Sequence, residues 1–275
     1  MNKNIDQSVV DDFGDEWDQY DQSKFNLKLE EAYLQYFHLL PKKYLNPQAI
    51  GFDAGCGSGR WAKFVAPKVK YLYCFDPSQK ALNVAQRNLS NFDNCFFECK
   101  SINEFSVSND SMDFGYCLGV LHHLPNTISA LSTCVAKLKK GAPLLLYIYY
   151  KFDNKPFWFK SIWRIVDITR ILICRFPFKI KLLITRLIAI LIYFPLARLS
   201  FLLELLGMNV SNIPLSDYRK KTFYFMCTDA LDRFGTKLEK RFTKREISSM
   251  MIKSGLSRIE FSNATPFWVA IGYKK

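Results

Sequence analysis

Short apolar runs alternate with amphipathic stretches through most of this 275-residue chain. Apolar residues recur at helical spacing over 29–40, and Pro41 ends that segment. From Ala49 the pattern changes to strand and helix in turn. A short apolar run closes at Asp53, and 71–76 reads as a buried strand followed by a helix over 79–89. Runs at 94–99, 112–118 and 142–149 continue the strands, with a helix over 126–138 before the last of them. Short apolar strands separated by helices predict a parallel sheet covered on both faces. The pattern resumes at 244–254, a helix capped by Thr243 with Glu246 in the capping-box position and closed by Gly255. Two further strands are expected near 258–262 and 267–273.

Between these halves the composition shifts. Residues 151–221 hold thirteen Lys or Arg against four Asp or Glu, and they are also strongly apolar, as in Phe157-Trp158-Phe159 and the run from Leu187 to Phe194. The longest uncharged, mainly apolar stretch, 187–197, is eleven residues and contains Pro195. A membrane span takes about 20 apolar residues, so no transmembrane helix is predicted. The segment reads as a mainly helical insertion after the fifth strand. The expected organisation is an N-terminal lid and helix (1–48), a core (49–150), a basic, apolar cap (151–236) and a C-terminal helix and strands that complete the core (237–275).

Composition narrows the partners. A net charge of +13 favours an anionic one: nucleic acid, a phosphorylated substrate or an acidic membrane face. Eight cysteines include no C-x-x-C pair, and several fall inside strands, as reduced core thiols of a cytoplasmic protein would. No metal site is expected, because Cys95 and Cys99 lack a second ligand pair. The N-terminus is polar and acidic without a signal-peptide core. Residues 1–24, with Phe13, Trp17 and Tyr20 among acids, read either as a partly ordered tail or as a lid over a ligand.

The chemistry centres on Asp53-Ala54-Gly55-Cys56-Gly57-Ser58-Gly59-Arg60, where a strand ends in an acid and turns through three glycines toward a helix. Glycines let a ligand approach the main chain, and a following helix would aim free N–H groups at an anion. The spacing G-x-G-x-G with an acid two residues before it differs from the dinucleotide fingerprint. It resembles motif I of the class I S-adenosylmethionine (SAM)-dependent methyltransferases. Downstream, the 110–124 segment with Leu121-His122-His123-Leu124 resembles the corresponding stretch of the small-molecule members.

That resemblance implies an α/β fold: a Rossmann-like, seven-stranded methyltransferase sheet with helices on both faces and the helical insertion after the fifth strand. It implies SAM as cofactor, leaving as S-adenosylhomocysteine (SAH). The cradle it implies comprises Asp53, Gly55, Cys56, Gly57, Gly59 and Arg60, then Asp76 and Pro77, Ser101 and Ile102, and Leu118 and Gly119. In it Asp53 takes the amino group and Asp76 the ribose hydroxyls. Asp76 also reads as a helix cap ahead of Gln79. Ser101 stands where many relatives carry an Asp that meets adenine. His122 and His123 read either as a base for an acceptor hydroxyl or as residues shaping the pocket. The nominated acceptor residues are Tyr149, Tyr150, Tyr224, Asp229 and Arg233.

The strand end at 118–121 lacks the [DNS]-P-P-[YFW] of amino-group methylases. The expected function is therefore O- or C-methylation of a small or lipid-linked acceptor, by a cytoplasmic enzyme with an anionic membrane surface as a peripheral partner. Nucleic acid is disfavoured, because its sites expose Lys and Arg without so much aliphatic content. An RNA methyltransferase and a non-catalytic scaffold with the same fold are the competing readings.

Overall fold

The computed structural model describes residues 4–21 and 26–275. The chain divides into two compact units: one of residues 1–151 with 238–275, the other of 152–237.

The first unit is built on a seven-stranded sheet of β1 (Ile50–Ala54), β2 (Tyr71–Asp76), β3 (Cys95–Cys99), β4 (Phe114–Leu118), β5 (Pro143–Tyr147), β6 (Leu256–Phe261) and β7 (Val269–Lys274). Their order across the sheet is β3-β2-β1-β4-β5-β7-β6. The first five strands are parallel, and β7 runs antiparallel to both of its neighbours. The chain therefore leaves β1 toward one edge and returns at β4 toward the other. The crevice outside the carboxyl ends of β1 and β4 is where ligands bind in such sheets.

Period-two alternation sorts the strand residues into two cores. Cys117, Leu144 and Leu146 belong to one apolar cluster, while Tyr116, Leu145 and Ile271 belong to the other. Across the β1–β4 seam two glycines and two phenylalanines pair reciprocally. Gly51 lies opposite Phe114 and Phe52 opposite Gly115, and a Cβ on either glycine would collide with the ring of its partner.

Helices α1 (Gln7–Gln19), α2 (Asn26–Phe37), α3 (Ala62–Val65), α4 (Gln79–Asn88) and α5 (Thr127–Lys137) belong to this unit, together with a later helix, Lys244–Lys253. The capping box at Thr243 and Glu246 is formed, and Gly255 adopts φ 95° at the exit. Residues 7–19 are a helix and not a tail: Asp6 caps it through its carboxylate, and it packs against α4. The remaining lid residues, 1–3 and 22–24, lie outside the described residues.

In the second unit α6 (Phe157–Ile173) precedes one continuous helix from Phe178 to Leu205, made of α7 (Phe178–Ile188), a π turn (Ala189–Tyr193) and α8 (Phe194–Leu205). α9 (Phe223–Gly235) packs against α6 and α7. By length and composition alone the 28-residue helix is long and apolar enough to cross a membrane. Pro195 does not interrupt this helix. It sits in the second position of α8, directly after the wider π turn, where its missing N–H and its ring are accommodated.

Candidate functional site

Asp53 and Asp76 end neighbouring parallel strands, and the glycine turn runs between them. Gly55 and Cys56 donate their amides to the Phe75 carbonyl at 2.7 and 3.0 Å, which folds the turn back onto β2. Gly55, Gly57 and Gly59 all take positive φ (77°, 54° and 74°), a region costly for a residue with a Cβ.

Asp76 holds the turn open. Its Oδ2 accepts the Gly57 amide and its Oδ1 the Ser78 amide, both at 2.9 Å. The cap of α4 is Ser78, whose hydroxyl accepts the Ala81 amide, so the helix-cap reading of Asp76 does not hold. Burial raises the Asp76 pKa to about 6, against the two amide bonds that lower it. Asp53 is 1% exposed, and its Oδ2 is buried without a hydrogen-bond partner. Burial drives its pKa well above the usual carboxylate range, with the neighbouring Tyr116 hydroxyl and Arg60 pulling the other way and Asp76 adding to it. A buried carboxylate oxygen left without a donor is costly and is the place for a ligand N–H.

Beyond the turn, α3 is only four residues long, followed by a 3₁₀ turn at Ala66–Lys68. The expected anion-attracting helix start is therefore reduced to a single turn, and its dipole is correspondingly small. Arg60 leaves the turn and lies 5.0 Å from the Trp17 ring and 4.7 Å from the Trp61 ring. Trp17, on α1, closes over Gly57: a Cβ there would come within 2.8 Å of its Nε1.

At the end of β3 the Ser101 hydroxyl is spent on Glu104 Oε2 at 2.8 Å, and Ile102 is buried in the core with Phe105. Leu118 is buried at the end of β4, and Gly119 follows with φ 82° and open space where a side chain would stand. Pro77 precedes the α4 cap, and its carbonyl accepts the Cys99 thiol at 3.4 Å.

A family model described as a methyltransferase domain matches residues 52–141. Over those residues, about a third of its length, the chain is similar to that family. Over 56 residues it is 39% identical to a curated Methanococcus maripaludis protein named as a cobalt-precorrin-6B C(15)-methyltransferase (decarboxylating). That match covers 20% of this chain and 31% of the relative, so the chain spans about a third of that relative's length. Among solved structures, a SAM-dependent methyltransferase of Thermotoga maritima aligns with a TM-score of 0.50 at 16% identity, covering 96% of this chain and 100% of that one. The YcgJ protein of Bacillus subtilis aligns at 0.51 and 13% identity, over 85% and 69%. These alignments show a shared fold.

The acids at the ends of β1 and β2 both keep acceptor capacity beyond the bonds described above. The first unit also holds an aromatic cluster past β4. His122 is fully buried, its ring stacked on Tyr149 at 3.8 Å, and its Nδ1 accepts the Tyr149 amide at 3.4 Å. Its neutral form then carries the proton on Nε2. Burial first, and His123 second, lower its pKa well below the ordinary value. His123 is arranged oppositely. Its Nδ1 donates to the Leu238 carbonyl at 2.8 Å, so the neutral ring carries its proton on Nδ1. Phe13 of α1 packs at 4.8 Å from this ring.

The nominated acceptor residues divide between the units. Tyr149 and Tyr150 lie in the first, where Arg241 stands 5.0 Å from the Tyr149 ring and donates to the Tyr150 carbonyl at 3.3 Å. Tyr224, Asp229 and Arg233 lie on α9 of the second, where Lys221 meets Asp229 at 3.7 Å and Arg233 stands 5.6 Å from the Trp163 ring. The first unit also contains residues that sequence reading overlooked. Glu239 and Arg241 form a buried ion pair at 2.7 Å, and Tyr116 faces Asp53 from β4. Strand alternation placed Tyr116 in a core; Glu239 and Arg241 follow no motif.

Proposed function

We propose that this chain transfers the methyl group of SAM to a small or lipid-linked acceptor, at oxygen or carbon. When bound, SAM supplies an electrophilic methyl on a sulfonium centre. The single observation that carries the reading is the orphaned Oδ2 of Asp53, buried beside the glycine turn. In this reading Asp53 accepts the amino group of the methionine tail, Asp76 uses its remaining lone pairs on the ribose hydroxyls, and Gly119 leaves room for the cofactor backbone. The protein's main contribution is alignment, and good alignment of two reactants is worth about 7–11 kcal/mol. Where the acceptor is a hydroxyl, its proton leaves to the His123 Nε2 lone pair. The basic, aliphatic second unit supports a lipid-linked acceptor and a peripheral position at the inner face of a membrane.

Titration calorimetry with SAM and SAH tests the cofactor half. Asp53→Ala is expected to weaken SAH by at least about tenfold, since a charge-assisted hydrogen bond is lost; unchanged affinity in a folded variant overturns the assignment. Transfer of labelled methyl into lipid extract, aqueous metabolites and RNA tests the other half. Label in RNA would favour the RNA reading, and no heat with SAM would favour the scaffold.

A further inference from the structure

Two helices of the second unit, α6 and the helix from Phe178 to Leu205, are amphipathic in the reverse of the usual sense. Along the helix from Phe178 to Leu205, the face turned inward carries Lys181, Thr185, Ala189, Tyr193, Ala197 and Ser200, all buried. Lys181 Nζ donates to the Gly235 carbonyl, and the Thr185 hydroxyl to the Lys181 carbonyl. The face turned outward carries Ile180, Leu183, Leu187, Leu191, Leu202 and Leu205, with Leu191 70% and Leu205 67% exposed. On α6 the buried side holds Arg170, tied to Asp167 and to the Thr236 and Lys237 carbonyls, whereas Ile162, Ile165, Ile168 and Leu172 face outward. A helix folded for water hides its aliphatic face and shows its polar one. Contiguous exposed apolar surface on this scale marks an interaction site.

Charge decides what covers it. Residues 157–205 contain two acids, Asp167 and Glu204, and each is held by an arginine at 2.7 Å. Arg164, Lys179 and Arg186 are exposed on the same helices, and Arg175 is exposed on the turn between them. Apolar faces flanked by exposed cations match a leaflet of anionic lipid, where aliphatic groups enter the acyl boundary and basic heads stay with the phosphates. A second copy seated on this face by twofold symmetry would oppose these cations to themselves. Arg164 and Arg186 lie along the helices and not only at their ends, which fits helices lying in the interface better than crossing the core.

We infer that the second unit seats in one leaflet of an anionic membrane through the outward aliphatic faces of α6 and of the helix 178–205. This stands independently of the methyl-transfer reading, because it concerns the surface of this unit alone.

Flotation of the full chain with phosphatidylcholine vesicles containing phosphatidylglycerol tests it, with SAH calorimetry on the same samples as the measure of an intact first unit. The wild type is expected to float with the mixed vesicles, to be released by alkaline carbonate, and to float poorly with phosphatidylcholine alone. The pair Ile165→Glu and Leu183→Glu, both on exposed positions, is expected to cut lipid partitioning by about tenfold or more while SAH binding stays unchanged. Ile252→Glu, exposed on the helix Lys244–Lys253 of the first unit, serves as the control and floats as the wild type does. Failure of the wild type to float overturns the inference, as does unaltered flotation of the double variant. Resistance to carbonate overturns it in favour of a spanning helix. A stable dimer that Leu183→Glu dissociates overturns it in favour of a second copy.

Discussion

The Asp76 carboxylate accepts the amide of Gly57 at 2.9 Å, so the acid at the end of β2 is fastened to the middle of the glycine turn. Its pKa is raised to about 6 by burial, which makes the cradle sensitive to pH in a physiological window. Only the ionised form offers acceptors to both the amide and two ligand hydroxyls. SAH affinity is therefore expected to fall as pH drops through 6, by roughly tenfold between pH 7 and pH 5, as the ionised fraction falls. The stability term has the opposite sign. A folded-state pKa above the unfolded value means that the native state binds the proton more tightly, so this group's contribution to stability declines as pH rises from about 4 to about 6. Asp76→Asn should flatten the pH dependence of affinity in calorimetry across that window. A variant that keeps the full slope would show that another group is responsible.

Trp17 covers the same turn from the N-terminal helix. A Cβ at Gly57 would come within 2.8 Å of the indole Nε1, and φ there is 54°. Gly57→Ala should cost about 1–3 kcal/mol in urea unfolding, from left-handed backbone and overpacking together. Trp17→Ala in that background relieves the collision but not the backbone term, so it should recover only part of the loss. Because Trp17 also lies 5.0 Å from the Arg60 guanidinium, its fluorescence should change when SAH binds. Saturating SAH with no spectral change would separate α1 from the cofactor.

The seam between β1 and β4 was readable in outline before the structure, through two apolar runs and the glycine turn. Its packing was not. Nothing local distinguishes Gly51 and Gly115 from other strand glycines, yet each leaves room for a phenylalanine on the opposite strand, a relation that exists only once the register is set. Asp53 and Asp76 stand out in the sequence because each acid closes an apolar strand run next to a turn. Glu239 and Arg241 do not, because their partners Tyr149 and Tyr150 stand about ninety residues earlier in the chain. The length of the helix 178–205 was not legible for a related reason. Charge-free runs stop at Arg186 and Arg198, whereas a helix turns each toward its own side. Arg198, for one, donates to the Arg219 carbonyl at 3.0 Å.

The two histidines should separate in kinetics. His122 Nδ1 already accepts a backbone amide, and burial keeps the ring neutral, so it should leave no ionisation in the kcat profile between pH 6 and 9. His123 has its lone pair on Nε2. His123→Gln should lower kcat by about 10²–10⁴ if that nitrogen takes the acceptor proton, with SAH affinity unchanged. A His123→Gln enzyme with near wild-type kcat would assign both rings to packing and leave methyl transfer to positioning alone.

Glu239 and Arg241 form an ion pair whose side chains are 1% and 9% exposed. Removing one partner strands the other charge in a poorly solvated place, which costs about 3–5 kcal/mol. Arg241→Met should also release the Tyr150 carbonyl and the Tyr149 ring, and through Tyr149 loosen the stack on His122. Urea unfolding of Glu239→Gln and Arg241→Met should therefore show large losses singly. The double variant should be less destabilised than the sum of the two, because neither charge is then left alone. Strict additivity would mean that the two side chains act through separate neighbours, and the stack beside His122 would then rest on β5 instead of on this pair.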